Sequence, residues 1–439
     1  MLATLRNRDF ALVWFAGLIS LTGDWLLKIG LPIYIYTLTG SALATSVMFM
    51  AGIAPRLLLG SVAGVFVDRW NRKVTMIVTN LLLALGLLPL LLVQDSRTLW
   101  IAYAVAFIEA MIAQFFAPAE SAMLPTLVRE DELVPANALN ALNSNIGRLG
   151  GPALGGLVVA AAGLRGVALL DALSFLLAAA LVLLIAPVAR PAAGGGIGGA
   201  QAGAESVAAA EKGMWREWLA GLRLVRRNRV LRVYFVMFAA MGLGEGVISV
   251  LLVVFAERVL RGGAELLGLM MSAQAIGGLI GGLIVAPFGK RISPYRLLGV
   301  CAFLFGLIDV AIVDVPAFVP LAAATTVVLA LFVAVGIPSI GLDIGIDSGV
   351  QMAVPNAYLG RVLGAATALM SLLMLCGMAL AGTLGDRVGA VPLLNIQGGM
   401  YVCAGLLALV ALRGVRAGSR SAQSDGAPVN VADEMAIGL

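Results

Sequence analysis

The chain has 439 residues, of which 61% are hydrophobic and 12% charged, against roughly 45–50% and 25% in soluble domains. Folded in water it would expose a large apolar surface, so a soluble globular protein, a nucleic-acid binder and a disordered chain are excluded. The formal net charge is +5, and His is absent, which excludes His–Asp catalysis, His-ligated metals and haem.

One membrane span takes about 20 apolar residues. Stretches of that kind recur at 10–36, 43–67, 74–94, 98–121, 137–163 and 166–187, then at 232–257, 264–287, 294–314, 317–343, 360–384 and 390–413. Lipid admits only helices or closed barrels, and barrel strands are short and alternating, so all twelve read as helices. The expected fold class is all-α integral membrane. Span one carries Asp24 and Lys28 and lacks a small-residue cleavage site after a short apolar core, so it reads as a retained span rather than a signal peptide. Pro32, Pro55, Pro89, Pro152 and Pro338 fall within spans, where membrane helices tolerate kinks. Cys301, Cys376 and Cys403 lie far apart in apolar stretches and read as small hydrophobes, not as a metal or disulfide set.

Between spans six and seven lies a segment at 188–231. Its first half, Pro191 to Gly213, is rich in Gly and Ala and reads as flexible. From Met214 the pattern is helical: Trp215, Trp218, Leu219, Leu222 and Val225 share a face bordered by Arg216, Arg223, Arg226 and Arg227. That predicts a basic helix lying on a membrane surface, with a calmodulin-type target as the sharper alternative. The division is therefore a six-helix N-terminal bundle (1–187), this linker, a six-helix C-terminal bundle (232–413) and a disordered tail (414–439). If the N-terminus is cytoplasmic, 21 of the 29 Lys and Arg fall on the cytoplasmic side by our count. This asymmetry predicts that both termini are cytoplasmic and accounts for the net charge without a nucleic-acid partner.

The two halves carry weak internal similarity. Gly60–Lys73 after span two aligns without gaps to Gly278–Arg291 after span eight, matching Gly60 to Gly278, Gly64 to Gly282 and Arg72-Lys73 to Lys290-Arg291. Both segments end on the same side, so the halves read as parallel repeats, an arrangement typical of transporters. Ala286 stands where the first half has Asp68.

Two motifs stand out. After span two comes Gly64-Val-Phe-Val-Asp68-Arg69-Trp-Asn71-Arg72-Lys73. Gly64 permits close helix approach, and Asp68 is placed to accept from a helix N-terminus or pair with an Arg. Arg69, Arg72 and Lys73 also serve topology. In span five, Gly147, Gly151 and Gly155 recur every four residues beside Pro152 and Gly156, with Arg148 among them. That makes a thin, bendable helix against which a neighbour can rock; simple small-residue packing is the alternative.

The first motif resembles the loop signature between spans two and three of the major facilitator superfamily, with Asn71 where that family has Gly. Asn tolerates the left-handed conformation a tight loop needs. The second matches Gly-x3-Gly-Pro-x2-Gly-Gly of its exporter branches. Together with Gly23-Asp24, Pro55-Arg56, Leu124–Asn137 and Val354–Val362, the chain is similar to a bacterial subgroup holding macrolide exporters, siderophore exporters and lysophospholipid transporters. The resemblance implies the major facilitator fold and export of a lipophilic or amphipathic small molecule by alternating access, coupled to protons. It also implies the bacterial inner membrane with lipid as the surroundings; a monomer is the working expectation, the oligomeric state not being readable from the sequence. A lysophospholipid flippase is the alternative within transport, and a lipid-modifying membrane enzyme the alternative outside it. No Gly-x4-Gly-Lys-Ser/Thr loop is present, so ATP is not the expected energy source; no cofactor or metal is expected either.

Charged residues inside spans are functional candidates by default. These are Asp24 in span one, Glu109 in span four, Arg148 in span five and Glu245 in span seven. Spans one, four and seven line the central cavity in the resembled family, which would turn the three carboxylates into it. An ionised carboxylate is costly there, which makes each a candidate proton carrier. Arg148 could pair with Asp24 or Glu109, and Lys28 lies one turn from Asp24. Asp171, Asp309, Asp314, Asp343 and Asp347 lie near predicted span ends and read as interfacial caps.

Overall fold

The computed structural model describes residues 4–186, 228–288, 292–354 and 356–413. The predicted surface helix from Met214 and the tail from 414 lie outside the described residues, as do the side chains of Gly64, Asp68 and Arg69.

In the first half, α1 is Arg8–Thr39, α2 Ala42–Arg69, α3 Arg72–Leu87 and α4 Leu99–Leu127. A longer stretch, Leu133–Leu183, is broken at Gly163, whose φ of 61° and ψ of −164° glycine adopts without a Cβ penalty. It is therefore two spans, α5 (133–162) and α6 (164–183). In the second half, α7 is Arg229–Val254, prolonged by a π turn at Phe255–Val259. Then come α8 (Gly263–Phe288), α9 (Pro294–Phe318), α10 (Leu321–Ala353), α11 (Asn356–Val388) and α12 (Ala390–Ala411). Ten helical stretches are long and apolar enough to cross a membrane, Leu133–Leu183 counting once, and α2 contributes the apolar run Ala42–Leu57.

Side-chain caps set the helix starts. Asn7 accepts from the backbone of Asp9 and Phe10, Ser41 from Ala44, Asn71 from Val74 and Asn228 from Val230 and Leu231. Asn71 has φ −72° and ψ 110°, so the left-handed role expected for it is not the one it plays: it caps α3. Lys73 is also more than a topology signal. Its Nζ donates to the carbonyls of Leu183 (2.9 Å) and Ile185 (2.6 Å), closing the end of α6.

The helices form two six-helix bundles. In the first, α1 packs on Leu133–Leu183, α2 on α4, and α3 on α4 and Leu133–Leu183; in the second, α7 packs on α11 and α12, α8 on α10, and α9 on α10 and α12. The interior is polar in places and the outside is apolar, as a bilayer demands. On α6, Leu169, Leu170, Leu173, Leu176 and Leu177 are exposed while Val167, Asp171, Ser174 and Ala178 are buried.

The bundles meet through α2 with α11 and through Leu133–Leu183 with α8. These contacts gather at the end of the molecule opposite the termini. There Asp386 of α11 accepts from the backbone N–H of Ala42 and the hydroxyl of Ser41, both at 3.0 Å. Ser46 donates to the carbonyl of Met378 at 2.7 Å. Arg258 donates to the carbonyl of Gly40 and stands 5.3 Å from the Tyr36 ring centroid. Beneath them an apolar cluster joins Ile29, Ile33, Tyr36 and Ala42 of one bundle to Val250, Val254, Leu267 and Met378 of the other.

Candidate functional site

Inside this clamp lies a cavity of about 920 Å³. It runs from Leu31, near the clamp, to Ser121 and Asn137 at the termini-side ends of α4 and α5. Ser121, Asn137, Ala141 and Ser144 are exposed there, so the cavity opens toward the termini. Its wall mixes apolar Leu21, Met48 and Phe175 with Asp24, Lys28, Arg56, Glu109 and Glu120. Asp24 and Glu109 thus line one cavity.

Glu245 is elsewhere. It lines a second space of about 240 Å³ with Trp25, Lys28, Phe49, Asp309 and Gln397. The glycines around it explain its pose. Gly242 and Gly246 press on the α11 backbone at Met370 and Met374, and Gly244 on Tyr401 of α12, which leaves Glu245 facing out of the bundle. Lys28 borders both spaces.

Arg148 lines neither space. It is exposed and within electrostatic reach of Glu245 and Asp343 of the other bundle, not of Asp24 or Glu109 as expected. The reason is helical phase. Gly147, Gly151 and Gly155 turn toward α1, which carries Arg148 to a neighbouring face. A Cβ on Gly147 would lie 2.7 Å from Leu21, one on Gly151 2.5 Å from Trp25, and one on Gly155 3.1 Å from the Trp25 carbonyl. Gly156 faces the other bundle, where a Cβ would lie 2.5 Å from the Ala264 carbonyl of α8. The N–H of Ala153 donates to Ser272 of α8 at 3.1 Å. α5 is therefore gripped between α1 and α8.

Two of the aspartates expected to be interfacial caps are not. Asp171 is 0% exposed and Asp309 5%. Asp309 accepts from Gln397 of α12 at 3.1 Å. Asp171 presses on α1 at Gly23, where any Cβ would collide with the Asp171 carboxyl and the Ser174 hydroxyl. Asp314 accepts from Asn395 at 2.7 Å, while Asp343 and Asp347 are exposed. Asp171 could have been found from periodicity: Leu164, Val167, Asp171, Ser174, Ala178 and Val182 recur at helical spacing on one buried face.

Among the described residues no group of three His, Cys, Asp or Glu is placed to hold a metal ion. What the arrangement offers is a large one-sided cavity with desolvated carboxyls in its wall.

Comparison with known proteins agrees with this architecture. The profile of the transmembrane secretion effector family matches residues 1–436. Macrolide efflux protein A of Streptococcus pyogenes is 24% identical over 398 residues, covering 90% of this chain and 93% of that one. The multidrug efflux pump Tap of Mycolicibacterium fortuitum is 27% identical over 396 residues, covering 88% and 91%. Among solved structures, the nucleoside transporter NupG superposes with a TM-score of 0.72 at 12% identity over 92% of this chain and 99% of that one. A bacterial homologue of the iron transporter ferroportin in its inward-facing state gives 0.68 at 16% over 92% and 97%. The chain belongs to the transmembrane secretion effector family of the major facilitator superfamily, and is a multi-pass efflux transporter of the bacterial plasma membrane rather than an enzyme.

Proposed function

We propose that the protein exports a lipophilic or amphipathic small molecule by alternating access, in exchange for protons, with both termini in the cytoplasm. The observation that carries this reading is the cavity of about 920 Å³, clamped shut at the end away from the termini and lined by both apolar side chains and Asp24 and Glu109. An amphipathic cargo enters from the cytoplasm or inner leaflet, packs on the apolar wall and presents its polar part to the carboxyls. The bundles then rock about the α2–α11 and α5–α8 contacts. Protons arriving from outside take the carboxyls when the cavity faces that way and leave to cytoplasmic water when it faces in. The macrolide named for one relative and the drugs implied for another make a macrolide the first cargo to try.

The test is purified protein in liposomes, with a radiolabelled macrolide and an imposed proton gradient. Accumulation that follows the gradient and collapses with a protonophore supports the reading. Macrolide movement indifferent to the gradient removes the antiport part. Transfer of lysophospholipid with no macrolide movement replaces the cargo.

A further inference from the structure

We propose that Asp171 of α6 is the buried member of a proton-binding set with Asp24 and Glu109, holding a proton behind the cavity wall that the two cavity-facing carboxyls exchange with water. The inference rests on the antiport reading above and deepens it.

Asp171 is fully buried, and its Oδ2 has no partner. Its Oδ1 lies 3.2 Å from the Ser174 hydroxyl, but that hydroxyl also lies 2.8 Å from the Asp171 carbonyl. A serine has one proton to donate, so it cannot serve both acceptors fully. Glu109 is 8% exposed, and its Oε1 is also buried without a partner. Two carboxyls from different helices therefore each leave an oxygen unsatisfied in an apolar bundle.

Charge accounting leads the same way. Asp24, Glu109 and Asp171 lie within electrostatic reach of one another. The cation facing them is Lys28 on α1; its ammonium stands 5.0 Å from the Trp25 ring centroid, and among the described residues it forms no contact ion pair. Neighbouring α3 offers Asn80, which is neutral; α2 offers Arg56 and α4 Glu120, both along the same cavity wall. Three carboxylates against one nearby cation is an imbalance that a low-dielectric interior penalises. A proton removes it directly. The O–H bond forms on a carboxylate oxygen, and the acid then has a donor for a neighbouring acceptor. A metal ion fits less well, because the three carboxyls do not converge as a ligand set.

Position gives each carboxyl a different part. Asp24 and Glu109 line the cavity, and Asp171 does not. Gly23, next to Asp24, is the point where α6 presses Asp171 against α1, so a movement of α1 alters both environments together.

The test uses the full-length reconstituted protein and two readouts. The first needs no cargo: the infrared C=O stretch of protonated carboxyls, followed through a pH titration. Asp171→Asn should remove one protonated carboxyl at neutral pH, and Asp24→Asn or Glu109→Gln should displace the midpoint of the remainder. The second is liposome flux of the radiolabelled macrolide. Asp171→Asn should lower gradient-driven accumulation about tenfold while downhill exchange stays within about twofold. An unchanged infrared band in Asp171→Asn overturns the proposal. So does wild-type coupling in Asp171→Asn when Asp24→Asn is uncoupled, and in that case the antiport reading survives. A band that responds to sodium rather than pH overturns the proton assignment. If flux ignores the gradient even in wild type, the antiport reading fails while the infrared result still decides whether Asp171 shares a proton. Should Asp171→Asn not fold, Ser174→Ala removes the partner hydroxyl and should displace the Asp171 band; no displacement overturns the proposal.

Discussion

At Asp24 and Lys28 the cavity wall carries opposite charges one helical turn apart, yet among the described residues they form no contact ion pair. The ammonium sits by the Trp25 ring, so Asp24 keeps a surface open to the cavity. Asp24→Asn should therefore lose gradient-driven accumulation by about tenfold or more and retain cargo binding, since the amide keeps the shape and removes the titrating group. If proton-driven transport persists there but fails in Glu109→Gln, the exchanging carboxyl is Glu109. A second residue-scale prediction concerns Lys73. Lys73→Met frees two carbonyls at the end of α6 and should cost about 1 kcal/mol, read as a lower unfolding midpoint in detergent. Asp24 and Glu109 were legible in the sequence because each is a carboxylate set in a long apolar run. Asp171 was passed over because a span placed at 166–187 put it near an end, although its place on a buried face is readable from helical periodicity.

Helix α5 shows how much an element's partners matter. Its glycine repeat and Pro152 announced a thin helix, but not that one glycine face meets α1 while Gly156 meets α8 across the bundle interface. Sequence spacing fixes which residues share a face; what that face touches depends on tertiary packing that no single chain segment encodes. The same applies to Arg148, which shares the motif but turns toward Glu245 and Asp343. Gly151→Leu should block transport or assembly, because a Cβ alone already comes within 2.5 Å of Trp25 and packed interfaces do not absorb such volume. Gly150→Ala is the control one residue away: a Cβ there meets nothing within 4 Å. The pair is read by yield of monodisperse protein and by liposome flux. Equal behaviour of the two variants would show that the α1-facing packing is not what the motif is for.

For the whole molecule, the question is what holds the cavity closed at one end and what releases it. Helices α2 and α11 cross the interface together. At the end away from the termini, Asp386 of α11 sits on the N-terminal backbone of α2 through Ala42 and Ser41. At the other end of α2, which runs to Arg69, lies Asp68 of the signature. A carboxylate on a helix N-terminus is worth roughly 0.3–1 kcal/mol when exposed. Such a contact biases a two-state equilibrium by about two- to fivefold rather than locking it, which suits a transporter that must visit both states. Asp386→Asn should accordingly raise the population open on the far side. The reporter is a single cysteine at Leu252, in the space beside the clamp, in a chain whose Cys301, Cys376 and Cys403 are replaced. Membrane-impermeant maleimide applied from the side opposite the termini should label it about two- to fivefold faster in Asp386→Asn than in the parent. Removing the second contact as well, with Arg258→Met, should add to the effect, because its hydrogen bond to Gly40 closes the same end. Asp68→Asn should impair transport with little loss of folded protein and should leave this labelling no faster than in the parent. If Asp386→Asn labels at the parental rate while Asp68→Asn speeds labelling, the clamp at this end is held by the apolar cluster around Tyr36 and Val254 and not by the carboxylate.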